Sequence, residues 1–71
     1  MYRRELQRDG HTHRFLIIPV KGLGWEVREE RDLEIVSRRQ LNDWHRVEGR
    51  RMMFATEVAQ LRAAGWTEVS N

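Results

Sequence analysis

The sequence predicts an α+β domain: a four-stranded antiparallel meander followed by one C-terminal helix across one face, in the order ββββα. Three observations predict it. Through the first half, apolar residues alternate with polar ones or run in β-rich clusters. Asp9-Gly10 stands between the first two such segments, and both of its positions tolerate the positive φ of a two-residue hairpin turn. In the second half the apolar spacing changes to that of a helix, which Gly65 is placed to end.

The first strand spans about 2–8 and the second about 11–19. A turn at Asp9-Gly10 pairs Arg8 with His11, Leu6 with His13, Glu5 with Arg14, Arg4 with Phe15 and Tyr2 with Ile17. One face then collects Tyr2, Leu6, Phe15 and Ile17, and the other Arg3, Glu5, Arg14, Leu16 and Ile18. Pro19 and the loop Lys21-Gly22-Leu23-Gly24 end the second strand. A third strand runs over about 25–30 with Trp25 and Val27 on one face. Arg31-Asp32 is the turn signal before a fourth strand at about 33–39. Two registers are open there: a two-residue turn sets Val36 beside Val27, and a three-residue turn brings Leu33 and Ile35 to the Val27 face.

The helix spans about 43–64, capped by Asn42 or Asp43, with Trp44, Val47, Phe54, Val58 and Leu61 on one stripe. Gly65 takes the left-handed position after the last turn and Trp66 packs back on Leu61, as in a Schellman stop. Ser37-Arg38-Arg39-Gln40 fits a capping box and offers an earlier start near Arg38. The later start is preferred because Leu41 and Asn42 interrupt the stripe.

Composition bounds the function. Seventy-one residues, 39% hydrophobic and 34% charged, make one small domain over 1–71 that is neither disordered by composition nor membrane-like. The longest apolar run, Phe15 to Val20, is far short of a spanning helix, and the N-terminal residues lack a signal-peptide core. A cytoplasmic protein is expected. With no cysteine there is no disulfide and no thiolate metal site, so a chain this small turns to self-association for stability. The segment Phe15-Leu16-Ile17-Ile18 is apolar on both faces of its strand, and one helix covers one face. A second copy is the simplest cover for Leu16 and Ile18, and exposed Met52 and Met53 suit an adaptable contact.

Nothing in the sequence points to catalysis. His11 and His13 share a strand face but lack a third ligand at metal spacing, and are read as histidines beside a turn. His45 has no cysteine to activate, and the only serines are Ser37 and Ser70. The acidic cluster Glu29, Glu30, Asp32 and Glu34 lacks the spacing of a calcium loop. The glycine loop at 21–24 precedes a strand, whereas phosphate-cradling loops precede a helix. No enzyme, cofactor, metal or small-molecule substrate is expected.

The net charge of +2 is the remainder of opposed blocks: +3 over residues 1–21, −3 over 26–34, +3 over 38–51 and −1 over 52–71. Twelve of the thirteen cations are Arg, which suits forked contacts to carboxylate or phosphate. Arg3, Arg14, Arg28, Arg38 and Arg39, with Trp25 as a stacking platform, form the candidate track for single-stranded nucleic acid. A dimeric ββββα unit resembles Whirly-type and Pur-type single-strand binders in topology alone, and no functional residue is carried over. The leading expectation is a small non-enzymatic homodimeric protein-interaction module with Leu16, Ile18, Met52 and Met53 at its interface. The alternative is the nucleic-acid binder.

Overall fold

A computed structural model describes residues 1–69. It contains β1 (Tyr2–Arg8), β2 (His11–Val20), β3 (Gly24–Arg31), β4 (Glu34–Leu41), α1 (Trp44–Ala63) and β5 (Thr67–Glu68). The sheet is antiparallel and open, in the order β4-β3-β2-β1-β5. The α+β class and the ββββα order are as the sequence predicts, and β5 is an addition to them.

The first hairpin forms because Asp9 and Gly10 both take positive φ, 51° and 80°. Its register runs from Tyr2 opposite Ile17 to Arg8 opposite His11, every pair as expected. The second hairpin departs from both expected registers. Its turn residues are Asp32 and Leu33, with φ of 52° and 71°, and a bulge follows between Glu29 and Glu30, which pair with Ser37 and Ile35. The extra residue on β4 is Val36. Arg39 therefore stands opposite Val27, where the sequence had offered Val36, or Leu33 and Ile35. The physical reason is that a bulky Leu in the left-handed region and a one-residue bulge leave no compositional mark.

The helix starts where the later reading places it. Asp43 is extended and its side chain accepts from the His45 amide at 2.9 Å. Ser37, the alternative cap, lies inside β4. At the other end the Trp66 amide donates to the Leu61 carbonyl and the Gly65 amide to the Arg62 carbonyl, both at 3.0 Å, which is the Schellman pattern. That stop turns the chain back toward the sheet. Thr67 and Glu68 pair with Gln7 and Leu6, and the Val69 amide donates to the Glu5 carbonyl at 2.8 Å.

The core lies between α1 and one face of the sheet. Leu6, Phe15, Ile17, Val27 and Leu41 meet Val47, Phe54 and Val58, with Tyr2, Trp25, Leu61 and Trp66 packed around them. Phe15 and Leu6 are fully buried, and the Phe15 and Phe54 rings lie 4.9 Å apart. No helix among the described residues is long and apolar enough to cross a membrane.

Candidate functional site

The face of the sheet away from α1 is crossed by a ladder of charge. Arg3 contacts Glu5 at 3.2 Å, Glu5 contacts Arg14 at 2.7 Å, and Arg14 contacts Glu30 at 3.4 Å. Glu30 contacts Arg28 at 3.2 Å, Arg28 contacts Glu26 at 2.7 Å, and Glu26 contacts Arg38 at 3.4 Å. The ladder links all four long strands with strictly alternating sign. It follows from the pleat: cross-strand neighbours Glu5 and Arg14, and Arg14 and Glu30, face each other in register. Arg28 and Arg38 are also directly opposite, and Glu26 between them accepts from Arg28 and pairs with Arg38. Hydrogen bonding to Arg14 holds the Glu5 carboxyl below the usual carboxylate range, and Glu26 and then Glu30 raise Arg28 above the ordinary guanidinium value.

This face answers two sequence expectations. Leu16 is only 7% exposed in a single chain, although its side chain points away from α1. Its neighbours across the strands are Arg3 and Arg28, whose aliphatic stems are long enough to lie over it while their charged ends reach Glu5, Glu26 and Glu30. The second cover that the strand requires is thus largely intramolecular, and Leu16 offers little surface to a partner. Ile18 keeps partial exposure beside Glu26.

Four of the six candidate nucleic-acid residues share one face, and Arg39 and Trp25 lie on the other. Arg3, Arg14, Arg28 and Arg38 lie on the ladder, each with a carboxylate within 4 Å. Arg39 points to the opposite face, beside Val27. Trp25 is also on the helix side, partly buried against the core, with its ring 5.3 Å from Trp44. It lines a groove of about 220 Å³ with Tyr2, Pro19, Trp44 and Arg51, and the Arg51 guanidinium stands 5.8 Å over the Tyr2 ring. A base stacked on Trp25 would lie on the far side of the sheet from the ladder arginines.

His11 and His13 share a face as expected, and each has its own carboxylate. His11 Nδ1 lies 3.2 Å from Asp32, and His13 Nε2 lies 3.2 Å from Glu29. Asp32 also accepts from the Thr12 amide at 3.0 Å, and this bond, more than His11, holds its carboxyl below the ordinary range. These contacts tie the tips of the two hairpins together. The His13 ring is buried, stacked at 4.5 Å on Phe15 and edge-on to Trp66. Among the described residues, no group of three or more histidine or carboxylate side chains is placed to hold a metal ion.

Two surfaces remain open. The first is the outer side of α1. Met52 and Met53 are 69% and 51% exposed, and the exposed residues that follow up to Ala64 are Ala55, Thr56, Ala59, Gln60, Arg62, Ala63 and Ala64. Arg62 is drawn toward Glu68 at 3.7 Å, and the Thr56 hydroxyl donates to the Met52 carbonyl at 3.2 Å. The strip is therefore nearly free of unsatisfied polar groups. The second is β4, an edge strand whose residues from Glu34 to Gln40 are all exposed. Sequence reasoning picked out Met52 and Met53 but not the β4 edge, whose facing depends on the bulge.

No protein-family model, curated protein or solved structure matches the chain.

Proposed function

We propose that the chain is a small, non-enzymatic protein-interaction module that works as a homodimer joined through the outer side of α1. The observation that carries this reading is the exposed Met52–Met53 pair at the head of a helical strip whose one charged member, Arg62, is drawn aside to Glu68. Large, flexible side chains occupy its N-terminal half, and Ala59 and Ala63 occupy its C-terminal half. An antiparallel two-fold pairing lays each Met over the alanines of the second copy, so the strip is self-complementary. Met suits such a contact because its unbranched thioether adapts to irregular hollows.

Dimerisation also supports a domain with little stability to spare. A partner that binds only the folded state stabilises it by mass action. The charged face opposite α1 has its ions paired within one chain and makes no comparable demand for cover.

Sedimentation equilibrium at micromolar concentrations tests the reading. A concentration-dependent dimer is expected, with the double variant Met52→Glu/Met53→Glu remaining monomeric and folded by circular dichroism. A wild-type chain that stays monomeric across that range ends the proposal.

A further inference from the structure

Nine of the twelve arginines, namely Arg3, Arg4, Arg8, Arg14, Arg28, Arg31, Arg38, Arg51 and Arg62, have a carboxylate within 4 Å. Among the described residues, the three without such a partner are Arg39, Arg46 and Arg50. They are not scattered. Arg39 stands on the helix-facing side of β4, across from buried Val27. On α1, Val47, Phe54 and Val58 point into the core. Arg51 lies to one side of that line, over Tyr2 of β1. At about 100° per residue, Arg46 and Arg50 fall on the other side, the flank toward β3 and β4. Two turns further along the same flank, Glu57 and Gln60 line a hollow with Glu29 and Arg31 of β3, which confirms the direction. By this placement the three residues lie along the cleft between α1 and β4, and Arg39 also lines a hollow with Val20, Glu26, Arg38 and Gln40. Among the described residues, Arg50 has only the Met53 sulfur, at 3.9 Å, as an acceptor.

The floor of this cleft ends at an unpaired strand edge. β4 is the outermost strand, and beyond the bulge its residues Ser37 to Leu41 pair regularly with Glu29 to Trp25. An edge strand presents backbone donors and acceptors that an amide chain can match and a phosphodiester chain cannot. The rings nearby do not serve the cleft: partly buried Trp25 and exposed Trp44 pack on each other beside Tyr2 and Pro19, on the other flank of α1.

We propose that this cleft docks an acidic peptide segment in extended conformation, added as a strand along Ser37–Leu41. Side chains alternate in such a strand, so carboxylates at every second position face Arg39, Arg46 and Arg50. The intervening positions face Arg38 and Gln40 on the ladder side. Glu29 and Glu57 close the basic stretch at its far end, which confines recognition to a short acidic run. The proposal rests on the reading of the chain as an interaction module but not on its dimerisation, because the strip headed by Met52 is a different surface.

The test is fluorescence anisotropy with the full chain and a labelled decapeptide alternating Glu and Val. Saturable binding is expected, weakening as salt rises, with no binding of the Lys–Val counterpart. Arg39→Ala/Arg50→Ala, checked for folding by circular dichroism, is expected to weaken binding by roughly tenfold or more, the scale of lost charge-assisted contacts. Two further peptides, N-methylated at every Glu or at every Val, read the strand geometry. One of the two is expected to lose binding, because only alternate amides of an added strand point at β4. Equal binding by both methylated forms, an unchanged affinity for the double variant, or tighter binding of an oligothymidine than of the acidic peptide overturns the proposal. Sedimentation reads the dimer separately, so failure of either reading is distinguishable from failure of the other.

Discussion

Replacing Gly24 by alanine should be the most damaging single-methyl change in this protein. Gly24 opens β3 with φ of 82°, in the left-handed region. A side chain there costs about 1–2 kcal/mol in backbone energy alone. A Cβ would also press on the Leu41 carbonyl oxygen, and would lie 2.8 Å from Asn42 Oδ1 and 3.0 Å from Asn42 Cα. Two of these three atoms are backbone, so relief requires moving the junction between β4 and α1. Leu41, 8% exposed, would be drawn out of the core with it, forfeiting on the order of 1 kcal/mol more. The expected loss is about 3 kcal/mol, against a total of roughly 4–10 kcal/mol for a domain of this length. Gly22 supplies the control, with φ of 74° and open space around its Cβ position. Gly22→Ala should cost only the backbone component. Urea denaturation followed by circular dichroism measures both. Losses for the two variants within about 0.5 kcal/mol of each other would refute the close contact as the cause.

Two further outcomes follow from the same structure. Hydrogen bonds lower the carboxyls of Glu5, Asp32 and Glu68 in the folded state, chiefly from Arg14, the Thr12 amide and Arg4 respectively. Lowered folded values mean that the unfolded chain takes up protons first, so the urea midpoint should hold from neutral pH down to the ordinary carboxylate range and fall as pH drops through and below it. A midpoint that rises on acidification contradicts those contacts. Leu16→Ala should cost about 2–4 kcal/mol with no change in the sedimentation profile, since Leu16 is buried within one chain. Loss of the dimer with unchanged denaturation of the monomer would instead make Leu16 an interface residue.

The first hairpin was legible residue by residue, because Asp9-Gly10 sets the turn and the turn sets all seven pairs. The helix and its stop were legible for a similar reason: Asp43 and Gly65 are local chemical signals. The second hairpin was not. Leu33 is a poor left-handed residue, and a bulge at Val36 reverses the facing of everything after it, which puts Arg38 rather than Arg39 on the ladder face. The cover of Leu16 was hidden for another reason. A period-two reading counts arginine as a polar surface residue, yet Arg3 and Arg28 each carry an apolar stem beside it. The short β5 was missed because two residues hold no period, and the pairing of Glu68 with Arg4 spans 64 positions.

That last strand has a consequence for how the sheet behaves as a template. Among the described residues, Thr67 and Glu68, with the Val69 amide on the Glu5 carbonyl and the forked contact of Glu68 to Arg4 at 2.7 and 2.8 Å, screen the β1 side. While they hold, the sheet has one long edge available, and an added strand there ends the series. If β5 peels away, β1 becomes a second accepting edge, and a sheet open on both sides can add neighbours without limit. Glu68 thereby helps to act as a chain terminator in the polymer sense, and protonating it in acid weakens the stop by removing its forked contact with Arg4.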